Sequence, residues 1–568
     1  MPYFIDKLQK EILSAVEKAV GQEIDISQLE ITRPPEASLG DWAVPCFYLT
    51  KLLRISPNQV ALEIKNKIKL PAGVKSAQNF GPYLNFFLKE KYLAKGLLTD
   101  IGKKQEKYGR LAGEKEKVMI EYSQPNTHKE FHVGHLRNAV LGSALVNLYR
   151  LAGQKVIAAN YIGDIGSHVA KCLWALNKFH QGEPEPASHK GQYLGKIYTE
   201  AVQKAEENEE YKKEAQEVQN KLEAGDKYWT NLWKKTRTWS LEEFNGIYKI
   251  LGVKFDKVFY ESEVEKPGKK IVEELLAQGV AKKSEGAVII DLEQYGLKQF
   301  LLLKSDGTSL YSTKELALAK LKFDKYKIDA SYVVVDSRQS FYFQQFFKTL
   351  EIMGFKKKVK HIAYEFVTLP AGAMSSRQGN VVLFEDFLRE MTALASQETG
   401  KRHKDWSEKE VAETAEKIAL AAIKFSMLRV GKNSVIVFDP SEALSFDGYS
   451  GPYLQYTVTR INSILRKNDL AIKAPDYSLL KERAEKELLL KLAQFPQTIS
   501  EAAREFEPSV LSKYLFETAK IFAGYYQEVP VLNSEENLRL ARLALIGGVK
   551  QVLVNGLNIL GIETLERM

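Results

Sequence analysis

The chain has 568 residues, too many for one ordinary core, and at roughly 100–200 residues per domain two to four domains are expected. Hydrophobic residues make up 45% and charged residues 27%, which excludes a disordered chain; the formal net charge of +9 favours a polyanionic partner such as nucleic acid without requiring one. Cys46 and Cys172 are the two cysteines, too few for a disulfide framework or a cysteine zinc cluster; a reducing, cytoplasmic setting fits, and no run of about 18 uninterrupted apolar residues predicts a membrane span.

Residues 1–112 read as a small α+β domain. The opening MPYFIDKLQKEILSAVEKAV carries acidic residues among its apolar positions, which predicts an amphipathic folded helix rather than a targeting peptide. A second helix is expected over 58–69. The alternating run from Tyr83 to Leu88 predicts a strand.

Residues 113–445 read as an α/β domain with a Rossmann-like parallel sheet. KVMIEYS predicts a buried strand, apolar residues from Leu136 to Leu151 fall on one helix face, Gly153 ends that helix, and Val156–Ala159 starts the next strand. The charged stretch within 178–250 predicts inserted helices. The runs GAVIIDL, FLLLK and SYVVVD are expected to rebuild the sheet. Residues 446–568 show helical periodicity throughout and predict an all-α domain, with Ser534 as the N-cap of its last helix.

The segment PNTHKEFHVGH, residues 125–135, lies between a buried strand and a helix start. A helix N-terminus offers free N–H groups and a positive dipole end to phosphate. Gly134 would let adenine approach the backbone, and His132 and His135 could donate hydrogen bonds to phosphate oxygens as negative charge builds. Lys129 adds a cation at the rim. ATP is the nucleotide this arrangement suits. Of the near-matches to a phosphate-binding P-loop, Gly431-Lys432-Asn433-Ser434 lacks the upstream glycine and Gly191-x-x-x-Gly195-Lys196 has the wrong spacing and no Ser or Thr next, and no Gly-x-Gly-x-x-Gly follows a strand.

His132-Val133-Gly134-His135 at such a turn resembles the first signature of class I aminoacyl-tRNA synthetases. IEYSQPNTHKEFHVGHLRNAVLG and NYIGDIGSH look like the arginine-specific members, and the resemblance extends over nearly the whole chain. It implies a second signature loop, here Ala373-Met374-Ser375-Ser376-Arg377-Gln378-Gly379-Asn380. Met374, Ser375, Gly379 and Asn380 match the family, while Ala373 and Ser376 stand where lysines are usual. In arginine enzymes with this loss, a lysine three residues before the first histidine is thought to substitute. Lys129 has that spacing, and Arg377 is a second candidate. The ATP set implied is His132, Gly134, His135, Met374, Ser375, Ser376 and Arg377, with Mg²⁺ carried on ATP and no structural metal.

A guanidinium substrate calls for carboxylates in a planar, paired contact. Tyr311 and Glu315 lie four apart and would share a helix face. The family has Asp at the Glu315 position, and a histidine where this chain has Tyr342. The resemblance adds Glu121, Asn126, His135, Glu261 and Gln339 to the arginine site. It implies tRNA contacts from Tyr83 and Asn85 at one end of the chain and from Tyr453, Gln455, Tyr456 and Met568 at the other, aromatic and amide groups being suited to unstacked bases. The expected activity is ATP-dependent ligation of L-arginine to tRNA(Arg) by a monomer. An inactive tRNA-binding paralogue and a class I enzyme of another amino-acid specificity are the rival readings.

Overall fold

The computed structural model describes residues 3–113, 116–368, 382–468 and 475–568. Its first helix, Phe4–Val20, buries Ile5, Leu8, Ile12, Val16 and Ala19, a spacing of three and four that lines one face. It ends where Gly21 turns left-handed. Three strands follow, β1 (Trp42–Pro45), β2 (Val74–Phe80) and β3 (Tyr83–Leu88), paired antiparallel in the order β1-β3-β2. Leu84, Phe86 and Leu88 of β3 point into the core, as strand alternation requires.

The central sheet is wholly parallel. Its strands are β4 (Lys117–Glu121), β5 (Lys155–Ile162), β6 (Lys257–Tyr260), β10 (Ala330–Asp336) and β11 (Lys358–Tyr364), in the order β11-β10-β4-β5-β6. From β4 the chain first builds outward through β5 and β6, then returns to the other side of β4 for β10 and β11. This reversal opens a crevice beyond the carboxyl ends of β4 and β10, the usual ligand position in such sheets.

Between β5 and β6 stand four helices, Ser167–Phe179, Lys190–Glu207, Glu209–Glu223 and Lys227–Leu251. They have a core of their own that includes Leu173, Leu194 and Trp239. GAVIIDL and FLLLK do not join the central sheet. As β8 (Ala287–Asp291) and β9 (Gln299–Leu303) they pair antiparallel with each other, and β8 pairs with β7 (Lys282–Ser284). Connections this short close hairpins, whereas parallel neighbours need a crossover of a dozen residues or more. Of the three runs, SYVVVD alone enters the parallel sheet, within β10. Two short strands, β12 (Val367–Thr368) and β13 (Ile436–Val437), pair parallel beside it.

The remaining chain is helical. Its last helix, Glu536–Ile559, starts one residue later than Ser534 would cap. Ser534 instead turns its hydroxyl back onto the carbonyls of Pro530 and Val531. That helix is long and apolar enough to cross a bilayer, yet 72% of its apolar window is buried in the protein. Tyr108 Oη donates to Leu492 O at 3.1 Å, and Asn555 Nδ2 to Tyr108 O at 3.0 Å, so the N-terminal domain and the helical domain pack together. Cys46 and Cys172 are both buried and free.

Candidate active site

The loop leaving β4 is held in an uncommon path. Ser123, Gln124 and His128 all have positive φ, which costs free energy unless surroundings enforce it. Buried asparagines do so. Asn138 Oδ1 accepts the N–H of Ser123 at 2.7 Å while its amide donates to Val334 O on β10. Asn160 Oδ1 accepts the N–H of Gln124 at 3.0 Å. His128 is wholly buried, its Nδ1 at 3.0 Å from Thr127 Oγ1 and its Nε2 at 2.8 Å from Thr236 Oγ1 on the inserted helix. Sequence reasoning missed these three; polar residues at otherwise apolar helix and strand positions are the signal that would have found them.

The loop delivers His132 to the N-cap of the helix Val133–Leu151. His132 Nδ1 accepts the N–H of Gly134 at 3.1 Å, and His135 Nδ1 accepts the N–H of His132 at 3.3 Å. The two rings stack with centroids 3.9 Å apart. Burial, reinforced by the charge of Lys129, pushes His132 down to about 4 and His135 well below its ordinary value. Both rings are therefore neutral at pH 7. With each Nδ1 accepting, the ring proton sits on Nε2, leaving one donor per ring for a ligand. A Cβ on Gly134 would lie 2.9 Å from His132 Cε1, so the glycine gives that ring its space.

Lys129 is half-buried beside the pair, its ammonium 5.0 Å from the Tyr198 ring centre. Met374, Ser375, Ser376 and Arg377 lie outside the described residues. The described residues on both sides of them are anchored. β12 pairs with β13 on one side, and on the other Val133 N–H donates to Val382 O at 3.2 Å and Phe384 N–H to Phe131 O at 3.0 Å. His132 and Leu383 thus form a bridge, which ties the exit of the second signature to the first.

A pocket of carboxylates and tyrosines lies next to this cradle. Glu121, at the end of β4, is fully buried; its Oε2 is 2.5 Å from Lys322 Nζ but outside hydrogen-bond geometry, and its Oε1 accepts from Gln124 at 3.0 Å. Glu261 opens the helix Glu261–Ala277 and pairs with Lys314. Asn126 bridges to Gly163, where an added Cβ would strike Asn126 Oδ1 at 2.2 Å and lie 3.6 Å from Glu261 Oε1. Gly163 therefore lets the amide and the carboxylate meet. Tyr311 begins the helix Tyr311–Tyr326, its ring 6.3 Å from Tyr161 and 5.3 Å from Tyr342. Glu315, one turn on, is buried with Oε1 unpartnered. Burial and then the charge of Glu121 push its carboxyl up to about 8 against the opposite pull of Lys322 and Tyr311. Gln339 is exposed on the turn after β10, at the crevice.

Asp164 was not singled out in the sequence. It is fully buried, its Oδ2 2.7 Å from Arg237 Nε and accepting from Ser262 Oγ, its Oδ1 accepting from Ser262 N–H at 2.9 Å. It fixes the residue beside Glu261.

The expected tRNA residues lie far from one another. Tyr83 is exposed, its ring 5.8 Å from that of Phe47, itself exposed. Asn85 is buried, its amide donating to Leu39 O at 2.8 Å. Tyr453 and Tyr456 are half-buried on the helix Gly451–Arg466, Tyr453 against Phe516. Gln455 is fully buried and donates to Glu563 O at 2.7 Å, an internal clamp on the last residues. Met568 packs partly against the core.

Three family models match. Residues 97–439 match the class I (R) tRNA synthetase catalytic domain, residues 454–568 the DALR anticodon binding domain, and residues 6–88 the arginyl tRNA synthetase N terminal domain. The arginine–tRNA ligase of Bdellovibrio bacteriovorus is 40% identical over 95% of this chain and 94% of its own. That of Halothermothrix orenii is 35% identical over 96% and 97%. The Thermus thermophilus arginyl-tRNA synthetase structure superposes with a TM-score of 0.84 at 30% identity, covering 99% of this chain and 100% of that one. With the histidine-capped helix and the carboxylate pocket at the switch of a parallel sheet, these matches establish that the chain belongs to the arginyl-tRNA synthetase family.

Proposed function

We propose that this chain activates L-arginine with ATP and transfers it to tRNA(Arg), with the roles below. An arginine carboxylate oxygen attacks the α-phosphorus, the bond to the β-phosphate oxygen breaks, and pyrophosphate leaves. A terminal ribose hydroxyl of the tRNA then attacks the acyl carbon, loses its proton, and AMP departs. Neither step needs a nucleophilic side chain; position and fixed charge suffice.

His132 and His135 donate from Nε2 to phosphate oxygens, and Lys129 supplies the cation that Ala373 and Ser376 do not. Mg²⁺ arrives on ATP, whose oxygens are its main ligands. Glu121, Asn126, Glu261, Tyr311, Glu315 and Gln339 hold arginine. Residues 1–112 and 446–568 hold the tRNA, with Tyr83, Tyr453, Tyr456 and Met568 as the contact set, while the buried Asn85 and Gln455 brace the segments that carry them. The enzyme works as a cytoplasmic monomer. The observation that carries this reading is the buried carboxylate Glu315 with an unpartnered oxygen, close enough to Glu121 at the end of β4 to feel its charge. Such an oxygen calls for a cationic donor.

The test is arginine-dependent ATP–pyrophosphate exchange, with and without tRNA. Exchange that needs arginine supports the reading. No exchange in either condition, or exchange with another amino acid, overturns it.

A further inference from the structure

The pocket holds more charge than a single guanidinium requires. Three carboxylates, Glu121, Glu261 and Glu315, converge from β4, from the helix after β6 and from the helix Tyr311–Tyr326. Two buried lysines on that last helix answer them. Lys322 is 3% exposed and pairs with Glu121; Lys314 is 6% exposed and pairs with Glu261. Close packing makes the second pair possible, since a Cβ at Gly268 would strike Thr313 O at 2.5 Å. The other groups near Glu261 are answered elsewhere, Asp164 by Arg237 and Glu265 by Ser309 and Lys269. Tyr161, Tyr311 and Tyr342 contribute hydroxyls without charge. Three carboxylates against two ammoniums leave one negative charge uncancelled, and Glu315 is the carboxylate without an ion pair among the described residues.

We propose that Lys314 and Lys322 are positioning residues that set the amino-acid pocket to a single uncancelled negative charge, at Glu315, and thereby match it to a monocationic side chain. The inference rests on arginine being the substrate. Its physical basis is that buried charges must be balanced one for one. With both lysines in place, a guanidinium completes the balance. With one removed, two buried carboxylates face one cation, and the surplus one must take a proton or repel its neighbour. The upward displacement of Glu315 agrees with a buried carboxyl that has no ion pair: near neutral pH it holds a proton before arginine binds, and releases it to solvent as the guanidinium takes the proton's place.

The experiment uses the full chain and measures KM for arginine and for ATP in aminoacylation between pH 6.5 and 9, for the wild type, Lys322→Met, Lys314→Met and Lys322→Arg. The two methionine variants are expected to raise KM for arginine at least tenfold, to leave KM for ATP within threefold, and to make arginine KM depend more steeply on pH. Lys322→Arg is expected to stay within threefold of the wild type in both. Should Lys322→Met fold poorly, Lys314→Met carries the test, with Lys314→Arg as its conservative control, expected to stay within threefold of the wild type in both constants. An unchanged arginine KM in folded methionine variants, or equal rises for arginine and ATP, overturns the proposal. A wild type with no arginine-dependent activity overturns the substrate reading instead, so the two failures are distinct.

Discussion

His135 accepts the backbone N–H of His132 on Nδ1 at 3.3 Å, so the second histidine closes the cap that the first one opens. Cap and ligand donor are thus the same two rings, and substitution can separate the roles. Asparagine is a good N-cap but cannot reproduce the ring's Nε2 donor. His132→Asn should keep stability within about 0.5 kcal/mol while lowering the adenylation rate on the order of 10²–10³-fold. Thermal melts and single-turnover adenylate formation check both. A full-rate variant would remove His132 from the phosphate site.

The same ring predicts an acid limit. Folded, His132 takes up its proton near pH 4; unfolded, near its ordinary 6.5. Between these values the unfolded chain binds more protons, so stability is present above pH 6.5 and falls as pH drops toward 4. The full loss is on the order of 3 kcal/mol. Acid melts of the wild type and His132→Asn should diverge across that window and run parallel above pH 7.

Lys129 lowers both histidines by its charge. Lys129→Ala should cut adenylation at least about tenfold, the worth of roughly 1.4 kcal/mol, leave tRNA affinity within twofold, and raise the NMR-titrated pKa of His132. A wild-type rate would rule out Lys129 as the replacement for the loop lysine.

Glu315 carries a stability cost that grows with pH. Its folded carboxyl titrates at about 8, against an ordinary 4.5. The folded chain binds the extra proton between these values, so its contribution is full below about 4.5 and is lost as pH rises through 8. Glu315→Gln should therefore melt higher than the wild type at pH 8.5, by at least about 1.4 kcal/mol, and should lose this advantage near pH 5. Arginine KM should rise more than tenfold in the same variant.

Asp164 is braced by Arg237 and Ser262. Asp164→Ala leaves a guanidinium without its partner and should cost about 3–5 kcal/mol, with KM for arginine rising more than KM for ATP because Ser262 neighbours Glu261. Equal changes in both constants would make Asp164 a general structural brace.

The cradle was legible because its chemistry is contiguous: eleven residues from Pro125 to His135 hold histidines, glycine and lysine at a strand-to-helix turn. The amino-acid pocket was legible only in part. Glu121, Glu261 and Glu315 are far apart in sequence, and nothing local says that lysines three and eleven residues after Tyr311 would turn inward. Lys314 and Lys322 read as surface residues of a charged helix, since lysine is rarely buried unpaired. The antiparallel β7–β8–β9 unit was misread because an apolar run announces a strand, not its neighbour. Gln455 shows the same limit: a polar side chain on a helix looked available to RNA, and its partner, Glu563 O, lies far along the chain.

The bridge between His132 and Leu383 also bears on synthesis. About 250 residues separate the two sides, which at roughly 5–20 residues per second is some 10–50 s on the ribosome. During that interval the nascent histidine cap has no partner at Val382–Phe384 to lean on, and for most of it β10, neighbour of β4, has yet to be made. The nucleotide cradle is therefore a late product of translation, and a chain released before residue 384 would carry both histidines without the frame that makes them a site.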